Sequence, residues 1–241
     1  MKLNQSSIIF YKPKISKVKT VLIGETAVGK SSIINRFTKN KFIQDFEPTL
    51  TGLCVNKEIK YIQLNKIVRF EIWDTAGQEV YRSLTKLYYK DASIVIFVYD
   101  ITRKDTFEEI RDYWFNEVSN NCPKDAVFAI VGNKDDNYEF EDVDKDSVIE
   151  FSNKINALFK KTSAKNGTGI EDLFFDIGLK YLGFENKNIL SQTYLFKSID
   201  DFYDKNINNK NVQDTNKEKN SKFTLNNNNH DDNINSSNCC K

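Results

Sequence analysis

The sequence predicts an α/β fold, a mainly parallel sheet with helices on both faces. Three observations carry this. Apolar runs of strand length alternate along the chain with segments of helical period. Two of those runs, Ile94 to Tyr99 and Ala126 to Val131, are apolar throughout, as strands buried on both faces are. A third run, Val21-Leu22-Ile23, leads directly into Gly24-Glu25-Thr26-Ala27-Val28-Gly29-Lys30-Ser31-Ser32, the G-x-x-x-x-G-K-S pattern of a strand, a phosphate-binding loop and a helix. In such a sheet ligands lie at the carboxyl ends of the strands, where this loop falls.

Taken in order, residues 1 to 16 read as a mixed polar leader containing Pro13, with the fold beginning near Val18. Behind the phosphate loop, Ile33, Ile34 and Phe37 recur at helical spacing. Lys41 to Gly52 is polar, broken by Pro48, and reads as a long loop. Ile62, Leu64, Val68, Phe70 and Ile72 alternate around Asn65-Lys66 and predict a hairpin, although Asn-Lys is a weaker turn signal than Asn-Gly. Phe107, Ile110, Trp114 and Val118 share a helical face behind Thr106-x-x-Glu109, read as a capping box. Val148, Phe151, Ile155 and Leu158 repeat the period after an acidic stretch. Ile170, Leu173, Phe174, Ile177 and Tyr181 do so behind a second box, Thr168-x-x-Glu171.

Beyond Gly183 the composition changes. Asn becomes abundant, and eight Lys offset eight Asp plus Glu. Such a segment buries too little apolar surface to offset its ordering entropy, so a largely disordered tail over 184–241 is expected. Ile189, Leu190, Tyr194, Phe196, Ile199 and Phe202 within it form either a short helix or docking motif, or a loosely packed segment.

Composition removes several classes. A chain of 241 residues with a net charge of +1 gives no reason to propose a nucleic-acid partner. It contains no run of about 18 apolar residues and no signal-peptide core, which predicts a cytosolic chain. The four cysteines, Cys54, Cys122, Cys239 and Cys240, have no metal-ligand spacing, and no disulfide is expected. The single histidine, His230, lies in the polar tail, so no mechanism is built on a histidine base.

The phosphate loop explains its own spacing. Gly24 and Gly29 let the backbone turn tightly, so that the N–H groups of Glu25, Thr26, Ala27, Val28 and the following helix start, through Ser32, can surround a polyphosphate. Lys30 adds a cation for the β- and γ-phosphates, and the Ser31 hydroxyl is offered to Mg²⁺. A second motif, Trp73-Asp74-Thr75-Ala76-Gly77-Gln78-Glu79, ends the hairpin's second strand. Asp74 is placed to hold Mg²⁺ through water, Gly77 lets its N–H approach a γ-phosphate, and Gln78 can position the attacking water.

The third motif chooses the base. Asn133-Lys134-Asp135-Asp136 follows a buried-type strand, and Ser163-Ala164-Lys165 follows Phe159 to Thr162. The Asp136 carboxylate can accept two hydrogen bonds, matching the N1–H and amine of guanine. Adenine lacks that pair and would leave a buried carboxylate unmatched. Lys134 can lie along the base, and the Ala164 N–H can donate to the guanine oxygen. On its own, Asn133 to Asp136 also suits an ordinary turn; the order of all three motifs is what a turn does not explain.

These motifs together resemble the Ras-like small GTPases over about residues 17 to 183. Tyr88-Tyr89-Lys90-Asp91-Ala92 and Phe97-Val98-Tyr99-Asp100-Ile101-Thr102 are similar to signatures of the Rab family, as is the Cys239-Cys240 pair. The resemblance implies a P-loop GTPase fold, with six strands and five helices, that hydrolyses bound GTP to GDP with Mg²⁺ and serves as a switch in vesicle traffic. It also implies Phe42 packed edge-on against guanine and Thr49 as the first switch's Mg²⁺ ligand. Ser163, Ala164 and Lys165 complete the guanine site. Implied partners are an exchange factor, a GTPase-activating protein, effectors, a GDP-dissociation inhibitor and a prenylation escort protein. The implied location is the cytoplasmic face of an endosomal or Golgi-type membrane, with a cytosolic pool. Ala27 is similar to the endocytic branch.

Stable anchoring needs two lipid chains or one chain plus a basic patch. The tail has no basic excess, so a second chain is needed, and the Rab resemblance implies geranylgeranyl groups on both Cys239 and Cys240. The ending Cys-Cys-Lys is not a C-a-a-X box. Departures from the Rab pattern fall at Leu50-Thr51-Gly52, where Ile-Gly is usual, at Val80 in place of Arg, and at Thr26 in place of a smaller residue. No arginine lies near Thr49, so slow turnover that depends on a partner is expected. The other readings are a nucleotide-binding module with little hydrolysis, a non-Rab signalling GTPase of the Ras type, and a P-loop kinase or ATPase. Gln78 argues against the first, and Asn133 to Asp136 against the last.

Overall fold

The computed structural model describes residues 12–44, 53–74 and 88–184. Its first strand, β1 (Lys14–Ile23), starts inside the stretch expected as a leader: Lys14, Ile15 and Ser16 pair with Lys66, Ile67 and Val68. Their side chains are largely solvent-facing, so hydropathy gave no sign of a strand there, and the backbone ladder alone extends it.

Helix α1 (Lys30–Lys39) follows the phosphate loop and ends at Asn40, in the left-handed conformation. β2 (Leu53–Tyr61) and β3 (Lys66–Asp74) form the expected antiparallel hairpin, but its connection differs. Ile62 and Leu64, read as strand, lie in a 3₁₀ turn (Ile62–Leu64) closed by the Asn65 N–H on the Ile62 carbonyl. Asn65 takes the left-handed conformation that Asn tolerates, at φ 49°.

β4 (Ile94–Asp100) leads to the helical stretch α2 (104–119), whose centre, Ile110–Trp114, widens into a π turn. β5 (Val127–Asn133) is followed by a 3₁₀ segment (Asp135–Phe140), α3 (Lys145–Lys154), β6 (Leu158–Lys161) and α4 (Ile170–Tyr181). Leu158, read as the last apolar position of the third helix, instead opens β6; α3 has already ended at Lys154.

Neither capping box is used as such. Thr106 sits inside the first turn of α2, where its hydroxyl donates to the Arg103 carbonyl at 2.6 Å and accepts from the Asp100 N–H at 3.1 Å. It ties the helix to the end of β4. α4 is preceded by Gly169 at φ 70°, not by a Thr168 cap. The cap that does form is Asp144 on α3, whose carboxylate accepts from the Ser147 N–H at 2.9 Å.

The six strands among the described residues lie in the order β2-β3-β1-β4-β5-β6, antiparallel only between β2 and β3. Side-chain alternation divides the core in two. Val18, Leu22, Ile94, Ile96 and Val98 pack on one face with Ile33, Ile34 and Phe37 of α1 and Leu173, Phe174 and Ile177 of α4. Val21, Ile23, Val95, Phe97 and Tyr99 pack on the other with Phe107, Ile110, Trp114 and Val118 of α2 and Val148 and Phe151 of α3. Every residue of β4 is buried, as its unbroken apolar run predicted. No helix among the described residues is long and apolar enough to cross a membrane. The apolar segment at 189–202 and both terminal cysteines lie outside the described residues.

Candidate functional site

The three motifs meet because β1, β3, β5 and β6 run parallel, so that the phosphate loop, Asp74, Asn133 and the Ser163 turn all leave the same edge of the sheet. The phosphate loop is drawn tight against the strands. A Cβ on Gly24 would run into the Val98 carbonyl, and one on Gly29 into the Asn133 amide. Ala27 sits at φ 64° and Gly29 at φ 98°, left-handed conformations that turn the loop sharply back on itself. No acidic side chain stands in the first turn of α1, and no side chain caps it, so the helix keeps its positive end.

Lys30 is only 5% exposed, and its Nζ donates to the carbonyls of Gly24 and Glu25, each at 2.7 Å. Burial pushes its pKa from 10.5 down to about 8, opposed by the charges of Asp74 and Glu25. Asp74, at the end of β3, is itself buried. Ser31 is half-buried in the first turn of α1 and Ser32 follows it. A buried cation, a helix with no acid in its first turn and an acid-plus-hydroxyl oxygen set suit a phosphate chain and a hard divalent cation such as Mg²⁺.

Asn133, 2% exposed, links the two ends of the site. Its Nδ2 donates to the Val28 carbonyl in the phosphate loop at 2.8 Å; its Oδ1 accepts from the Ala164 N–H at 3.2 Å and the Thr162 hydroxyl at 3.3 Å. Lys134 stands at φ 69°, with Nζ 2.7 Å from the Asp100 carboxylate. Burial pushes the Asp100 carboxyl up, but hydrogen bonds from Lys134 and Thr102 outweigh it and hold the group below its ordinary range.

The Asp136 carboxylate accepts from the Ser163 hydroxyl at 2.5 Å, and its other oxygen lies 3.6 Å from Lys165 Nζ. Ser163 and Ala164 are buried, whereas Lys165 is exposed. Phe42 is 36% exposed in the irregular segment after α1. Thr49, Gly77 and Gln78 lie outside the described residues, as do Leu50-Thr51-Gly52 and Val80.

Three site contacts were missed in the sequence. Asp100 anchors Lys134; the only signal was an acid ending a buried strand beside Asn133, its register partner. Arg103 reaches the phosphate loop, with Nη1 3.4 Å from the Thr26 carbonyl and Nη2 2.7 Å from Asp105. Arg36 grips the turn that carries Ala164: Nε donates to the Ala164 carbonyl at 2.9 Å and Nη2 to that of Lys165 at 2.7 Å. Nothing in the local pattern around Arg36 announced this.

A glycine-rich loop between β1 and α1 at the carboxyl edge of a six-stranded, mainly parallel sheet defines a P-loop α/β protein. A sequence model of the Ras family matches residues 19–182. The chain is 38% identical over 163 residues to Ras-related protein Rab-22A of Canis lupus familiaris, covering 68% of this chain and 82% of that protein. It is 39% identical over 160 residues to Ras-related protein Rab-31 of Rattus norvegicus, covering 66% and 80%. To Ras-related protein RABC1 of Arabidopsis thaliana it is 40% identical over 166 residues, covering 68% and 76%. The chain belongs to the Rab family of Ras-like small GTPases.

Proposed function

We propose that this chain is a GTP-hydrolysing switch of the Rab type, acting in vesicle traffic on the cytoplasmic face of an endosomal or Golgi-type membrane with a cytosolic pool. The observation that carries the reading is the Asn133 side chain, which joins a loop built for phosphates to a turn built for a base. In the proposed division of the chain, the nucleotide domain runs from the start of β1 at Lys14, three residues before the boundary expected at 17, to Gly183, flanked by a shorter leader and the tail.

Within it, the loop from Gly24 through Ser32 holds the phosphates, with Lys30 supplying charge and the backbone N–H groups of Glu25 to Ser32 supplying hydrogen bonds. Ser31, Thr49 and, through water, Asp74 would hold Mg²⁺, which when bound neutralises charge on the transferring phosphoryl group. Gln78 orients the attacking water, and the Gly77 N–H binds the γ-phosphate. Phe42, Asn133, Lys134, Asp136, Ser163, Ala164 and Lys165 surround guanine. GTP would order the switch regions through Thr49 and Gly77, and hydrolysis would release them, changing which effectors bind. Exchange factor, activating protein, GDP-dissociation inhibitor and escort protein complete the cycle.

The base assignment is tested by Asp136→Asn. Guanine would lose an acceptor for its amine, so GTP binding weakens and xanthosine triphosphate binding improves, read by titration against both nucleotides and ATP. Wild type preferring ATP, or an unchanged GTP affinity in the variant, overturns the guanine site.

A further inference from the structure

We infer that Arg36 is a positioning residue for the guanine base, acting through the Ser163-Ala164-Lys165 turn; this rests on the guanine reading above. One guanidinium uses all three of its nitrogens. Nε donates to the Ala164 carbonyl at 2.9 Å and Nη2 to the Lys165 carbonyl at 2.7 Å. Nη1 donates to the Asn40 carbonyl at 3.2 Å and side-chain oxygen at 3.1 Å. The two gripped carbonyls belong to the consecutive peptide units that follow Ala164 and Lys165. A planar fork bonded to both fixes the direction in which the turn leaves Ala164, whose own N–H, on the preceding peptide unit, donates to Asn133 Oδ1 at 3.2 Å; the turn is thus held from both sides of Ala164.

The same helix connects the two ends of the site. α1 begins at Lys30 and Ser31, beside the phosphate loop, and carries Arg36 in its last turn. Its other end is secured by Asn40, whose N–H donates to the Arg36 carbonyl at 3.0 Å while its carbonyl and side chain receive Nη1. The loop folds over the arginine as well: Gly167, at φ 90°, has no side chain, and a Cβ there would lie 3.5 Å from Arg36 Cδ. A rigid helix therefore sets the spacing between the phosphate cradle and the base reader, with Arg36 as the joint. Lysine cannot take this place, since a single ammonium does not span two carbonyls and a cap with fixed geometry.

The test compares wild type, Arg36→Lys and Arg36→Met, all loaded with Mg²⁺ and nucleotide. Release of GDP is measured beside release of 2-aminopurine riboside diphosphate, which lacks the 6-oxygen that the Ala164 N–H would read while sharing its bond to Asn133 Oδ1, and also lacks the N1–H that would donate to Asp136, a loss common to wild type and variants. Loss of charge-assisted hydrogen bonds should speed GDP release on the order of tenfold in Arg36→Met, with Arg36→Lys recovering only part of it. Release of the analogue should change far less. Equal acceleration for both diphosphates means that Arg36 merely supports the fold, and overturns the inference. Failure of the guanine reading itself has a separate signature: wild type would hold GDP, the analogue and ADP alike. If Arg36→Met does not fold, the GDP-to-analogue ratio in Arg36→Lys decides, and a ratio equal to wild type overturns the inference.

Discussion

At Lys30 the protein holds an ammonium group where water scarcely reaches it, satisfied by two loop carbonyls at 2.7 Å. Its folded pKa of about 8 lies below the ordinary 10.5. The unfolded chain therefore binds more protons between those values, so the burial cost is fully present below about pH 8 and is relieved as pH rises through the window. Nucleotide phosphates bring negative charge to Nζ and favour its charged form. Binding should then take up a proton, and affinity should fall as pH climbs past about 8. Calorimetry near pH ~8.5, in buffers of different ionisation heat, should show that uptake in wild type and its loss in Lys30→Met. Buffer-independent heats in wild type would place the titrating group elsewhere. Lys30, Asp136 and Ala164 were readable in the sequence because each stands at a fixed offset within a short motif. Asp100 and Arg36 were not, because their partners lie far along the chain; Arg36 and Ala164 are 128 residues apart. No local period reports such a contact.

Between elements, the central joint is Asn133, which ties β5 to the phosphate loop and to Thr162 and Ala164 beyond β6 through three hydrogen bonds. Asn133→Ala would strand the buried Val28 carbonyl and Ala164 N–H, costing about 2–4 kcal/mol at the usual penalty for unsatisfied buried groups. Thermal unfolding of the nucleotide-free protein should show that loss, whereas Asp136→Asn, which keeps an oxygen to accept from the Ser163 hydroxyl, should leave the midpoint nearly unchanged. Equal midpoints for Asn133→Ala and wild type would mean that the Asn133 hydrogen bonds add nothing net to stability. The elements themselves were legible where periodicity is strong. Phe107, Ile110, Trp114 and Val118 are all buried on α2 as their spacing required, yet the π turn at Ile110–Trp114 leaves no trace in an apolar stripe. Helix ends were less legible, because S/T-x-x-E also occurs where tertiary contacts claim the hydroxyl, as Asp100 and Arg103 claim Thr106.

For the whole molecule, a two-sided core was predictable because β4 is apolar at consecutive positions and so must be covered twice. Strand order was not, since it depends on which strands meet; the face-to-face stacking of Phe37 on Phe174, with centroids 3.7 Å apart, joins α1 to α4, the first and last described helices. The proposed lipid anchor belongs to this scale too. Mass spectrometry of the C-terminal peptide from native cells should find two isoprenoid additions on Cys239 and Cys240, and the Cys239→Ser, Cys240→Ser double variant should move to the soluble fraction. Unmodified cysteines on membrane-bound protein would assign attachment to a partner. The central claim, that this chain turns over GTP as a switch, is tested most directly by single-turnover hydrolysis with purified protein and Mg²⁺. The account predicts slow conversion of bound GTP to GDP, slower still in Gln78→Leu at nearly unchanged GTP affinity, and no comparable turnover of ATP. Equal GTP rates in Gln78→Leu and wild type, or ATP consumed as readily as GTP, would contradict it.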